Sequence, residues 1–104
     1  MESKAFKMKL LPGFEAEYKK RHDEIWPELS RLLSKRGIYD YSIFLDEDSL
    51  TLFAVQKVKE GANLGGLTEE PVLRKWWDYM SDIMETNPDN SPVEKPLKKV
   101  FYME

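Results

Sequence analysis

The stretch Ile38–Val58, IYDYSIFLDEDSLTLFAVQKV, reads as two runs rich in β-branched and aromatic residues split by one polar turn. Ile38 to Leu45 and Leu50 to Val58 are predicted strands, and Asp46-Glu47-Asp48-Ser49 is the turn that folds them into a hairpin. Successive side chains of a strand alternate, so Tyr39, Tyr41, Ile43 and Leu45 are expected on one face. Upstream of the hairpin, Lys4 to Leu10 also alternates, with Phe6, Met8 and Leu10 pointing one way and Lys7 and Lys9 the other, until Pro12-Gly13 ends the run. The period then becomes helical, and Phe14, Tyr18, His22, Ile25, Leu29, Leu32 and Leu33 fall on one stripe. Gly37 is placed to cap that helix. Pro27 removes a backbone donor and crowds the carbonyl of Asp23, which predicts a kink, or a restart with Pro27 in a first turn, just after His22.

Downstream of the hairpin, Thr68 is the expected N-cap of a second helix, with Glu69 and Glu70 in its first turn, Pro71 close behind and an end near Met84. The run Asn87-Pro88-Asp89-Asn90-Ser91-Pro92 favours turns, and Val100-Phe101-Tyr102-Met103 reads as a closing strand. The order β-α-β-β-α-β is that of a ferredoxin-like α+β subunit, a single domain over residues 1–104. Two helices cover only one face of a four-stranded sheet. Strands with apolar residues on both faces therefore predict a homodimer with sheets packed face to face.

Composition narrows the partners. The chain carries 16 Lys and Arg against 19 Asp and Glu, mixed along its length, with a formal net charge of −3. A nucleic-acid binder normally shows a basic face, and the lysines here gather into none. Without cysteine there is no disulfide, thiolate metal site or cysteine nucleophile. With a single histidine as well, a zinc site is not expected. The carboxylates, mostly paired with lysine along helix faces, show no two-carboxylate glycosidase site. Gly61 to Gly66 lacks the spacing and the Lys-Ser/Thr of a phosphate-binding loop, so no cofactor is implied. No apolar stretch reaches the length of a membrane span, and the lysine-rich start after Met1 does not read as a signal peptide, so a cytoplasmic location is expected.

The sole histidine, His22, is the side chain that gives and takes protons near neutral pH, and Tyr18 stands one helical turn before it on the same face. Two readings stand for it: a hydrogen-bonded core residue or an acid-base catalyst. Trp76 and Trp77 have a similar choice. Neighbours on a helix point about a quarter-turn apart, so only one of them centres the apolar stripe of Val72, Leu73, Tyr79, Met80 and Ile83. The other flanks either a subunit contact or the apolar wall of a ligand site.

Several blocks together carry a resemblance: Tyr18-x-x-x-His22, Ile25-Trp26-Pro27-Glu28-Leu29, Trp76-Trp77-x-Tyr79-Met80, Asn87-Pro88-Asp89-Asn90-Ser91-Pro92 and Val100-Phe101-Tyr102. In this order, end to end, the chain resembles the L-rhamnose mutarotase family, with the weakest match at Gly61 to Leu67. The resemblance implies a dimeric α+β barrel that interconverts the α and β anomers of L-rhamnose without a cofactor. It also implies that His22 is the proton donor and that Tyr18, Tyr41, Trp76 and Trp77 line the sugar. The sequence singles out no complementary acid or base at the anomeric hydroxyl. Two other functions fit the same subunit: a small cofactor-free monooxygenase and a non-catalytic dimeric ligand-binding module.

Overall fold

The hairpin is where the sequence puts it. In the computed structural model, which describes residues 2–104 and so leaves the reading of Met1 outside, strand β2 (Ile38–Asp46) turns back on β3 (Thr51–Val58). The Asp46 carboxylate holds the turn, accepting bonds from the Asp48 N–H at 3.2 Å and the Ser49 hydroxyl at 2.8 Å. Strand β1 (Glu2–Lys9) runs antiparallel along the other edge of β3, and a two-residue strand β4 (Lys95–Pro96) pairs with β1 at Phe6 and Lys7. The sheet order is β2-β3-β1-β4. Since β3 is antiparallel to both neighbours, β1 and β2 run parallel with β3 between them.

The crossover from β1 to β2 holds two helices rather than one: α1 (Glu15–Asp23) and α2 (Pro27–Lys35). Of the two outcomes open at Pro27, the chain takes the restart. Trp26 is extended (φ −60°, ψ 127°), as a residue before proline is pushed to be, and Pro27 takes the first helical position, where its missing N–H costs nothing. Gly37 follows α2 in the left-handed region (φ +92°), and an added Cβ would stand 2.8 Å from the Ala62 Cβ.

The second predicted helix starts later and ends earlier than expected. Leu67–Glu69 forms a single 3₁₀ turn and α3 spans Pro71–Met80, with Glu70 rather than Thr68 at its N-cap. The cause is again proline geometry, because Glu70 precedes Pro71 and is extended (ψ 127°). After Met80 the chain leaves the helix to bond with the end of β1: Leu11 N–H donates to Ile83 O at 2.9 Å, and Leu10 bridges Met84. The expected closing strand is also moved. Lys95–Pro96 supplies it, while Val100, Phe101, Tyr102 and Met103 lie beyond the sheet, exposed and outside any strand.

One face of the sheet is buried. On β3, Leu52, Ala54, Gln56 and Val58 are buried and alternate with the exposed Phe53, Val55 and Lys57. The inner set joins Met8, Leu10, Tyr18, Leu29, Trp76, Met80, Ile83 and Met84 in the core. On β2 the alternation is interrupted. Tyr39 pairs with Lys57 and Ser42 with Val55, so Asp40 and Tyr41 together oppose Gln56: a β-bulge, with Asp40 left-handed at φ +46° and ion-paired to Lys57 at 3.4 Å. Tyr39 is therefore out of line with Tyr41, Ile43 and Leu45, which corrects the face expected from strict alternation. Among the described residues no helix is long and apolar enough to cross a membrane.

Candidate active site

Between the helices and the inner face of the sheet lies an open cavity of about 1150 Å³. All five residues singled out in the sequence line it: Tyr18 and His22 from α1, Tyr41 from β2, and Trp76 and Trp77 from α3. The helical spacing does what it promised. The imidazole of His22 stacks on the Tyr18 ring with centroids 4.3 Å apart and 25° between planes, and the edge-on Trp76 ring meets it at 5.4 Å.

His22 Nδ1 stands 3.1 Å from the Tyr18 backbone carbonyl. A carbonyl oxygen only accepts, so Nδ1 carries a proton and donates it, and Nε2 is the nitrogen left for chemistry. Burial among aromatic rings lowers the His22 pKa from 6.5, a shift opposed by the Tyr18 carbonyl and the Asp23 charge. At pH 7 the ring is thus mainly neutral, with the Nε2 lone pair free.

Trp76 is 7% exposed and resolves the choice left by the Trp pair, since it is the residue in the core stripe while Trp77 is only half-buried. Behind Trp76 stands an aromatic stack that the sequence did not single out. Trp26 meets Trp76 edge-on at 5.1 Å and lies nearly parallel to Tyr79 at 5.6 Å. Arg21 clamps this stack from α1: its guanidinium lies 4.3 Å over the Tyr79 ring, donates to the Tyr79 carbonyl at 2.7 Å, and pairs with Asp82 at 2.9 Å and Glu17 at 2.7 Å. The wall beneath His22 is thereby fixed by packing rather than by chain stiffness.

The two tyrosines are held as phenols. Burial raises the Tyr18 pKa well above its ordinary value, and Tyr41 adds to the shift. Burial, reinforced by the Glu94 charge, pushes Tyr41 up to about 12, while a hydrogen bond with the Gln56 side chain pulls the other way. Both therefore serve as neutral hydrogen-bonding groups at any ordinary pH. Among the polar residues of the cavity that the sequence did not single out are Gln56 and Glu94. Gln56 had a signal, because it occupies an inward position of β3 otherwise filled by Leu52, Ala54 and Val58. Glu94 had none, since it sits in irregular chain between the Asn87–Pro92 loop and β4, with no periodicity.

The sequence model of the L-rhamnose mutarotase family matches residues 3–103. The chain belongs to that family. An L-rhamnose mutarotase of Flavobacterium johnsoniae is 60% identical over 96% of this chain and 94% of its own length, and one of Phocaeicola vulgatus is 57% identical over the whole of both chains. The crystal structure of an L-rhamnose mutarotase from Formosa agariphila, 55% identical, superposes over the full length of both chains with a TM-score of 0.93. A Pseudomonas aeruginosa protein at 15% identity and a TM-score of 0.52 shares the fold alone. Family membership extends over the stretch Gly61 to Leu67 as well, where the resemblance of individual residues is weakest.

Proposed function

We propose that this protein is an isomerase that interconverts the α and β anomers of L-rhamnose, with His22 moving a proton and Tyr18, Tyr41, Trp76 and Trp77 holding the sugar. The observation that carries the activity is the end-to-end similarity to L-rhamnose mutarotases at 55–60% identity. The residue roles rest on the cavity that these five side chains share.

Mutarotation opens the pyranose ring, turns the aldehyde and closes the ring on its other face. Opening takes a proton from the anomeric hydroxyl and gives one to the ring oxygen, and closure reverses both transfers. Each event is a proton transfer, the breaking or making of the C1–O ring bond, or a bond rotation, so the reaction calls for no cofactor. In this reading Nε2–H of protonated His22 donates to the ring oxygen and Nε2 takes the proton back on closure. The depressed pKa makes the imidazolium a readier donor than free histidine. Acid-base help of this kind contributes about 10²- to 10⁴-fold, or roughly 3–5 kcal/mol of barrier. The tryptophan faces offer flat apolar surface to a 6-deoxy sugar, whose methyl group replaces a hydroxymethyl, and the tyrosine hydroxyls orient its polar edge.

The same proposal includes a ferredoxin-like subunit paired into a dimeric α+β barrel in the cytoplasm. The sheet order β2-β3-β1-β4 supports the subunit topology. Support for pairing comes from the uncovered sheet face, where Phe44 on β2 lies opposite Phe53 on β3, with Val55 beside them, all exposed. Exchange NMR on the anomeric protons of L-rhamnose tests the activity: protein in catalytic amount is expected to accelerate α–β exchange. Exchange that stays at the uncatalysed rate refutes it.

A further inference from the structure

We propose that Glu94 is the second proton-transfer group of this site, acting on the anomeric oxygen while His22 serves the ring oxygen. The inference rests on the mutarotase reading above. Its geometry is a shared cavity: His22 stacks on Tyr18, and Tyr18, His22, Tyr41 and Glu94 all line the same space, where the Glu94 charge acts on the Tyr41 phenol.

The backbone fixes Glu94 from both sides. Val93 N–H donates to Glu85 O at 3.1 Å just before it, and Leu97 N–H donates to Ala5 O at 2.8 Å just after, beyond the pairing of Lys95–Pro96 with β1. The loop before it is equally tied down: Asn87 N–H bonds Ser91 O at 2.7 Å, Asn90 Nδ2 donates to Asp78 at 3.0 Å, and Arg74 reaches Asp89 at 3.3 Å. The Asn87–Pro92 segment thus carries the chain from α3 back to the sheet edge in one conformation and delivers Glu94 to the cavity.

The chemistry balances with no further reactant. The Glu94 carboxylate takes the proton of the anomeric hydroxyl, the C1–O bond to the ring breaks as the carbonyl forms, and the released electron pair on the ring oxygen takes the proton of His22 Nε2. After rotation about C1–C2 the ring hydroxyl returns its proton to Nε2 and attacks C1, and the carbonyl oxygen recovers the proton held by Glu94.

The pair works with one proton between its members. Activity falls at low pH when both hold a proton and at high pH when neither does. Glu94 is exposed, yet partial desolvation raises its carboxyl above its ordinary 4.5, while burial lowers His22 below its ordinary 6.5, so the two limbs are drawn together and the optimum lies on the acid side of neutrality. Other groups face the pair, and of these the Asp23 charge works against the lowering of His22. Around His22, α1 itself presents Tyr18, Lys19 and Asp23, and α3 presents the non-ionising Trp76; around Glu94, β2 presents Tyr41 and β3 presents Gln56. Glu15, Tyr39, Asp40 and Glu47 complete the ionisable lining.

The test is the pH profile of rhamnose anomer exchange in wild type, Glu94→Gln, Glu94→Ala and Glu94→Asp, each checked for native circular dichroism. Glu94→Gln is expected to lose about 10²-fold or more and the acid limb with it, while rhamnose still quenches tryptophan fluorescence. Added formate is expected to restore part of the rate to Glu94→Ala, which a structural role would not produce, and Glu94→Asp is expected to keep an acid limb. A folded Glu94→Gln with the wild-type rate and both limbs overturns this assignment and leaves the mutarotase reading standing. Glu94→Ala that is slow but unmoved by formate, with its acid limb intact, also overturns it. Wild-type protein that fails to accelerate exchange overturns the mutarotase reading and this inference together.

Discussion

Trp76→Ala and Trp77→Ala separate what the two adjacent rings do. Trp76 is 7% exposed and meets His22 at 5.4 Å, Trp26 at 5.1 Å and Tyr79 at 5.7 Å between ring centroids. Truncating a buried tryptophan costs about 3–5 kcal/mol, and three aromatic neighbours left facing a void push the loss to the upper part of that range. A domain of this size is held by only about 5–15 kcal/mol, and each kcal/mol moves Tm by about 4–8 °C, so a drop of roughly 15–40 °C is expected. Trp77 is half-buried, with the Arg74 guanidinium 5.7 Å from its ring, and should lose about half as much on truncation. Its ring area facing the cavity makes rhamnose affinity the larger casualty. Thermal melts followed by circular dichroism at one protein concentration measure the first quantity, and fluorescence titration with L-rhamnose the second. If Trp77→Ala lowers Tm as much as Trp76→Ala, or binds rhamnose as wild type does, the division of the pair into anchor and sugar wall is wrong.

His22→Ala is expected to lose about 10²-fold or more of the accelerated exchange while keeping the wild-type dichroism spectrum; wild-type exchange in the folded variant would make His22 structural. As the only histidine, His22 gives a single set of imidazole NMR signals, and their titration should centre below 6.5; a midpoint above 6.5 contradicts the burial of the ring. Gly37→Ala forces a side chain into φ +92° and a 2.8 Å contact with Ala62, so a urea melt should show at least about 1–3 kcal/mol of lost stability, and a neutral result would mean that the turn relaxes freely. Light scattering should return the mass of two chains for wild type and of one for Phe44→Glu paired with Phe53→Glu; a single-chain mass for wild type removes the dimer from the proposal.

Much of this architecture is legible because the signals are local. The Asp46–Ser49 turn, the proline that splits the first helix, and the i, i+4 spacing of Tyr18 and His22 each act within one turn of chain, and each is found where the spacing puts it. What escaped depends on tertiary partners. Alternation along β2 breaks at Asp40, a residue that tolerates the left-handed region without announcing it. The fourth strand forms at Lys95–Pro96, where β1 offers an edge, and not in the more β-prone Val100–Met103. Glu94 faces the cavity because backbone bonds on either side turn it there, and no periodicity encodes that. Trp26 looks in sequence like the residue before a proline, and only the packing of α2 against α3 makes it the backing of Trp76.

The Asp40 bulge separates two properties that a regular sheet locks together. Deleting one residue from an ordinary strand would send every side chain beyond it to the opposite face. At Asp40 the pairs on either side, Tyr39 with Lys57 and Ser42 with Val55, are already those of a ladder one residue shorter. That residue could be removed while Ile43 and Leu45 stay inside and Tyr41 stays across from Gln56. What would change is the local twist, and with it the curvature of the cavity floor. Chain length at this one position is therefore a dial for the contour of the floor, independent of the side chains that line it.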